Sequence, residues 1–252
     1  MADGSTPNRG VTRDQWEAQI AALGEAGTPR RARKEPITVD RIVAAAFELV
    51  EAEGFDALTM RRVAAALETS PGALYVHVRN KAELDDLLIG QLCRNVVLPA
   101  PDPANWRAQI SDVCGQLRDQ YLRYPGISRA ALSASPNSLD TVRLGEGMLA
   151  ILLAGGVAPQ SAAWAVDAAV LYVNAYSFEA SLRRAPGTDT DGRILDRAEH
   201  IARLEMLPTA LFPNTVAYAQ ELTAGTGHER FDFTLELMFR GLTPDSQDGG
   251  QS

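Results

Sequence analysis

The chain has 252 residues, with 24 Lys and Arg against 32 Asp and Glu, a formal net charge of -8, and 46% hydrophobic and 22% charged residues. Those proportions exclude a largely disordered or fibrous protein and allow one or two domains with a sizeable core. Taken alone, the acidity argues against a nucleic-acid partner. Cys93 and Cys114 are too few for a disulfide framework or a cysteine zinc site and read as buried free thiols in a reducing compartment. The N-terminus is polar, with no secretory core. The longest apolar stretches, such as Met148 to Ala158, fall short of the roughly 20 residues that cross a bilayer, so a cytoplasmic protein without membrane contact is expected.

In chain order, residues 1–36 read as a flexible basic arm. Trp16, Ile20 and Leu23 mark one short amphipathic stretch, and Arg30, Arg31, Arg33 and Lys34 follow a run of Gly and Pro. Thr38 is placed to cap a helix with Ile42, Val43, Ala46, Phe47, Leu49 and Val50 at helical spacing, which Gly54 stops. A short helix from Thr59 to Leu67, a break at 68–70 and a second short helix opening at Pro71 come next. Asn80 begins a helix with Leu84, Leu87, Leu88 and Leu92 on one side. Beyond a Pro-rich break, helices are expected at 104–123, 128–134, 138–155, 159–184, 193–206, 213–224 and 227–241, followed by a disordered tail over 242–252. No alternating strand pattern competes, so the fold class is all-α. The helix at 159–184 is apolar nearly all round, and the last helix, with Phe231, Phe233, Leu235, Leu237 and Phe239, is apolar on more than one face. Either these are central core helices, or they are shared between the core and a homodimer interface.

Residues 57–81 reverse the charge, with Arg61, Arg62, Arg79 and Lys81 against Glu68 alone. Two short helices joined by a tight turn, the second led by Ser70, Gly72 and Ala73, are what a helix-turn-helix requires. Small side chains there let the backbone approach a DNA major groove. Thr59 is placed both to cap the first of these helices and to donate to a phosphate.

The stretch from Val39 to Leu88 resembles the DNA-binding domain of the tetracycline-repressor (TetR) family of bacterial transcription regulators. Gly54-Phe55, Leu58-Thr59, Val63-Ala64, Leu67, Ser70, Leu74-Tyr75, His77-Val78 and Asn80-Lys81 all fall at the family's spacing. The resemblance implies an N-terminal three-helix helix-turn-helix domain at 37–83 and a C-terminal helical ligand-binding and dimerisation domain at 84–241. It implies operator contacts by Arg61, Tyr75 and His77 beside Thr59, Ser70, Gly72 and Ala73, with Lys81 binding a phosphate as a point charge. Val63, Ala64, Leu67, Leu74 and Val78 read as the small core that holds the recognition helix. The basic arm either adds DNA contacts or is a solvated linker.

The resemblance also implies a cavity among the middle helices, bordered by Tyr121, Met148, Trp164, Asn174 and Phe178, suited to a mostly apolar small molecule. Asn174, alone in an apolar run, would bond a neighbouring helix, the dimer partner or a ligand. The acidic balance of this half favours a neutral or cationic ligand. His77, His200 and His228 are too scattered for a metal cluster, no catalytic motif is present, and no cofactor is implied. Asp85-Asp86 and Asp189/Asp191 read as exposed charges. The expected protein is a homodimeric repressor released from palindromic double-stranded operator DNA by a small-molecule effector. The competing class is a helical binding protein or enzyme with an incidental helix-turn-helix. Between Arg30 and Arg94 ten basic residues balance ten acidic ones, so all the net acidity lies outside the region expected to read DNA.

Overall fold

Four polar side chains set where the first helices begin. Thr38, Thr59, Ser70 and Asn80 each stand in extended backbone, and each side-chain oxygen accepts the N–H three residues on, at 3.3, 3.2, 3.3 and 2.9 Å. The caps satisfy backbone donors that a helix start leaves orphaned. In the computed structural model, which describes residues 36–133, 138–184, 197–225 and 227–242, the four helices so begun are α1 (Val39–Glu53), α2 (Met60–Ala66), α3 (Pro71–Leu74) and α4 (Lys81–Arg94). Ile42, Ala46, Val50, Val63, Ala64, Leu74 and Val78 are buried between them, while Leu67 is only half-buried. The expected short helix at 128–134 is described only through Ser133, and 193–206 only from Arg197. The expected basic arm and its amphipathic stretch, as far as residue 35, and the tail from residue 243 lie outside the described residues.

Beyond the Pro-rich segment come α5 (Trp106–Arg123), α6 (Ile127–Ser133), α7 (Leu139–Ala154) and α8 (Pro159–Arg184), then α9 (Arg197–Glu205), α10 (Pro213–Ala217), α11 (Ala219–Leu222) and α12 (Gly227–Arg240). The α-helices among the described residues fall where helical periodicity places them, with one difference, and a 3-10 turn over Phe55–Ala57 that was not expected follows Gly54. The helix expected over 213–224 is two, parted at Tyr218, whose backbone (φ -117°, ψ 27°) leaves the helical region. Over this stretch only Ala219 is buried, so little packing holds one continuous helix together.

From Thr38 onward the chain clusters as one unit. Helices α5, α7 and α8 pack on one another, α6 lies on α8, and α12 packs on α8 and α5. Ile110, Val113, Leu117, Met148, Ile151 and Val173 fill the middle. Helix α4 is the shared element, packing on α1 at the head and along α7 in the body. The head also docks at the α5–α6 corner. There the Phe55 N–H donates to the Pro125 carbonyl at 3.0 Å, and the Phe47 and Tyr124 ring centroids lie 4.5 Å apart. Gly126, at φ 88°, lies so close to Phe55 that a Cβ would stand 3.1 Å from the Phe55 Cβ.

Helix α8 buries Ala162, Ala169, Val173 and Tyr176 while exposing Trp164, Leu171 and Leu182. Helix α12 buries Phe231, Leu235 and Phe239 while exposing Phe233 and Leu237. One apolar face of each helix is thus spent within the chain and a second is presented outward, as a helical homodimer contact requires.

At the end of α7, a Cβ on Gly155 would overlap the indole of Trp106, which is buried at the start of α5. A buried indole cannot yield cheaply. Gly155→Ala should therefore lower unfolding stability by about 1–3 kcal/mol, read as a lower urea midpoint at unchanged slope.

Candidate functional site

The head presents one outward surface built by α2, α3 and the start of α4. Thr59 and Ser70 are exposed and spend their oxygens as caps, leaving each hydroxyl hydrogen free to donate outward. Arg61, Gly72 and His77 are exposed, Ala73 is half-buried, and Tyr75 is 51% exposed. Leu74 and Val78, buried on the opposite side, fix this orientation. Val76, 80% exposed between Tyr75 and His77, is the apolar group that the sequence reading passed over. The signal was available: with Leu74 and Val78 buried at helical spacing, the residue midway between them points out. The two helices meet at a turn in which Glu68 takes a left-handed backbone, φ 48°.

Lys81 is placed differently from a free point charge. Its ammonium pairs with Asp85 one turn on and lies 4.2 Å from the centroid of the Phe55 ring. Burial pushes the Asp85 carboxyl up, against the Lys81 hydrogen bond and charge that pull it down. Arg62 pairs with Glu53 across the head. The Arg79 N–H donates to the Glu83 carboxylate at 2.6 Å and its guanidinium adds a bond at 3.2 Å, which holds Glu83 below its usual range. The Asn80 cap and this Glu83 acceptor together fix how the chain enters α4.

Behind the head, a cavity of about 370 Å³ opens among α4 to α8. Asp86, Ile89 and Cys93 come from α4, Leu117 and Tyr121 from α5, Thr141, Leu144 and Gly145 from α7, and Val166, Asp167, Val170 and Asn174 from α8. Of the residues expected on its wall, Tyr121 and Asn174 are present. Met148 is buried in the core elsewhere, and Phe178 is half-buried off the wall. Trp164 is 68% exposed on the outer face of α8, where its neighbour Ala163 takes the wall position. The expectation that Asp85 and Asp86 are exposed charges is corrected: both are half-buried, one spent on Lys81 and the other on the cavity wall. Asp189 and Asp191 lie outside the described residues.

Burial pushes the Cys93 thiol up to about 12, with the Asp140 charge adding to the rise, and burial likewise raises the Tyr121 phenol. Both therefore stay protonated near neutral pH. Asn174 is 4% exposed and its Oδ1 has no hydrogen-bond partner among the described residues. Arg143 on α7 donates to the carbonyls of Cys93, Arg94 and Val96 at 2.9, 3.2 and 3.1 Å, closing the C-terminal end of α4. Beside it, the Arg94 guanidinium meets the Asp140 carboxylate at 2.9–3.2 Å.

A helix-turn-helix head joined by one shared helix to a body with an internal cavity and an outward apolar face defines a ligand-responsive, dimeric DNA-binding regulator. The family comparisons agree. The model described as "Bacterial regulatory proteins, tetR family" matches residues 42–85, and "Tetracyclin repressor-like, C-terminal domain" matches residues 98–245. The chain is 28% identical over 258 residues to the HTH-type transcriptional repressor DrrR1 of Streptomyces coeruleorubidus, covering 95% of this chain and 91% of that protein. It is 28% identical over 212 residues to the class D tetracycline repressor protein of Escherichia coli, covering 81% of this chain and 88% of that protein. Streptomyces coelicolor ActR, solved in complex with actinorhodin, superposes with a TM-score of 0.74 at 34% identity, covering 82% of this chain and 97% of that one. The chain belongs to the TetR family, and its function is ligand-responsive transcriptional repression through operator DNA.

The unpartnered Oδ1 of Asn174 sets up a prediction. A buried polar group without a partner costs about 1–3 kcal/mol, and an apolar residue of like shape removes that cost. Asn174→Leu should raise the melting temperature of the ligand-free protein by scanning calorimetry, whereas an unchanged or lower value would show the amide to be satisfied.

Proposed function

We propose that the head contacts its operator through Thr59, Arg61, Ser70, Gly72, Ala73, Tyr75, His77 and Lys81, and that an effector in the cavity releases it by re-aiming α4. In this reading residues 37–83 are the DNA-binding domain and 84–241 the ligand-binding and dimerisation domain. Two heads of a homodimer would enter successive major grooves of a palindromic site. The observation that carries the proposal is that α4 belongs to both sites. Lys81 stands at its start, next in sequence to the recognition segment, while Asp86, Ile89 and Cys93 further along line the cavity. The C-terminal end of α4 is tied to α7 by Arg143 and by the Arg94–Asp140 pair. A group that reshapes the cavity would therefore shift the head-bearing end about the tied one, against the head's contact at the α5–α6 corner. Release requires only that the effector bind the operator-incompetent arrangement more tightly.

The crystallised complex of ActR with actinorhodin supports a small-molecule effector in a body of this shape. The wall is mostly apolar, and burial keeps its Cys93 and Tyr121 protonated, which suits a binding site. No helix among the described residues is long and apolar enough to cross a membrane, and a protein that acts on operator DNA works in the cytoplasm.

Operator affinity at fixed salt tests the DNA half. Tyr75→Phe should weaken binding about fivefold, the worth of one hydrogen bond, and Lys81→Ala should weaken it while reducing the salt slope by about one. No loss in either variant contradicts the assignments. Asp85→Asn releases Lys81 from its in-chain partner and removes a negative charge from the head, so it should tighten operator binding severalfold, and weaker binding would show that the pair positions Lys81 for the phosphate.

A further inference from the structure

We infer that the effector is an organic cation: a mostly apolar body carrying a protonated amine attracted by Asp86 and Asp167, with a hydrogen-bond donor for Asn174. This rests on the cavity being the effector site and goes on to name the chemistry that fits it.

The wall carries two carboxylates and no Lys, Arg or His. Neither Asp86 nor Asp167 has a salt-bridge partner among the described residues. The nearest basic group along the α7 wall, Arg143, turns Nη2 to the carbonyls at the end of α4. An anion entering here would meet uncompensated like charge, whereas a cation would meet two counter-ions, of which the half-buried Asp86 is the less screened. Asp86 is half-buried on α4 and Asp167 is exposed on α8. Asp167 lies beside Ala163 and Leu171, which are also exposed wall residues, so within one chain this edge forms the mouth, beside the outward apolar face to which Leu171 also belongs.

Asn174 supplies the independent observation. It lies on the cavity wall, enclosed within its own chain at 4% exposure, and its Oδ1 has no partner there. It lies seven residues after Asp167 on the same stripe of α8, about 10 Å along the helix axis at 1.5 Å per residue. Val170 and Leu171 lie between them. The wall therefore runs from acidic, through apolar, to an amide acceptor. That order fits a hydrophobic skeleton with an ammonium near the mouth and an N–H or O–H donor at its inner end.

The test uses the full-length dimer and three probes of one shape: naphthylmethylammonium, naphthylmethanol and naphthoate, titrated by calorimetry at neutral pH. The expected order is ammonium, then alcohol, then carboxylate, with the ammonium favoured over the alcohol by about tenfold, roughly 1.4 kcal/mol. Asp86→Asn and Asp167→Asn should each reduce that preference while leaving alcohol binding in place. Leu144→Trp, which fills the cavity, should abolish all three, and Val170→Trp serves if the first variant does not fold. Equal or tighter binding of the alcohol or carboxylate, a preference that survives both Asp→Asn changes, or no ammonium binding at millimolar concentration overturns the cationic assignment. Binding of all three probes undiminished by the filling variants would instead overturn the cavity as the effector site.

Discussion

The link we propose between cavity and head rests on how the C-terminal end of α4 is held, beside a second head–body contact at the α5–α6 corner. A helix leaves its last carbonyls unsatisfied, and here Arg143 reaches from α7 to three carbonyl oxygens at that end, those of Cys93, Arg94 and Val96. The Arg94–Asp140 pair doubles the attachment, and Gly90 allows close approach, since a Cβ there would stand 2.9 Å from the Ser138 Oγ. The helix is thus moored at one end on the wall of the cavity and carries the DNA-reading segment at the other. In the proposed mechanism, a rigid element held this way converts a small change in the cavity into a displacement of the head.

Charge is distributed in keeping with that division. The segment that meets DNA is locally basic inside an acidic protein, and the remaining acidity is carried by a body that gains nothing from touching phosphate. At the junction, Lys81 is contested between Asp85 and the solvent where a phosphate would lie, with the Phe55 ring supporting the ammonium from the head side. Asp86, the next residue, faces the cavity and its charge already acts on Asp85. Adjacent carboxylates thus stand one at each of the two proposed sites.

The head was legible in the sequence because its determinants are local. Four caps, a Pro at the first position of α3 and alternating buried and exposed residues in a short span are all visible in one stretch of chain. The cavity was less legible, since its wall is assembled from five helices and sequence distance hides which faces converge. Helix α8 is apolar nearly all round, so no polar face indicates which side points inward. Trp164 was accordingly assigned to the cavity although the fold turns it outward. Asp86 reads as an ordinary surface acid for the opposite reason, since only tertiary packing places it on the wall, whereas the Lys81–Asp85 pair, four residues apart on one helix, was open to the sequence. Nothing local marks Arg143 as a cap for another helix. Asn174, by contrast, was visible as a polar residue in an apolar run, and that physical anomaly persists in the fold as an unpartnered Oδ1.

The claim that α4 unites the two sites is tested most directly by hydrogen–deuterium exchange on the full-length protein with and without its operator. If the helix transmits, DNA binding should alter exchange along α4 as far as Cys93 and across to residues 140–145 of α7, well away from the DNA. A change confined to residues 59–81 would contradict it.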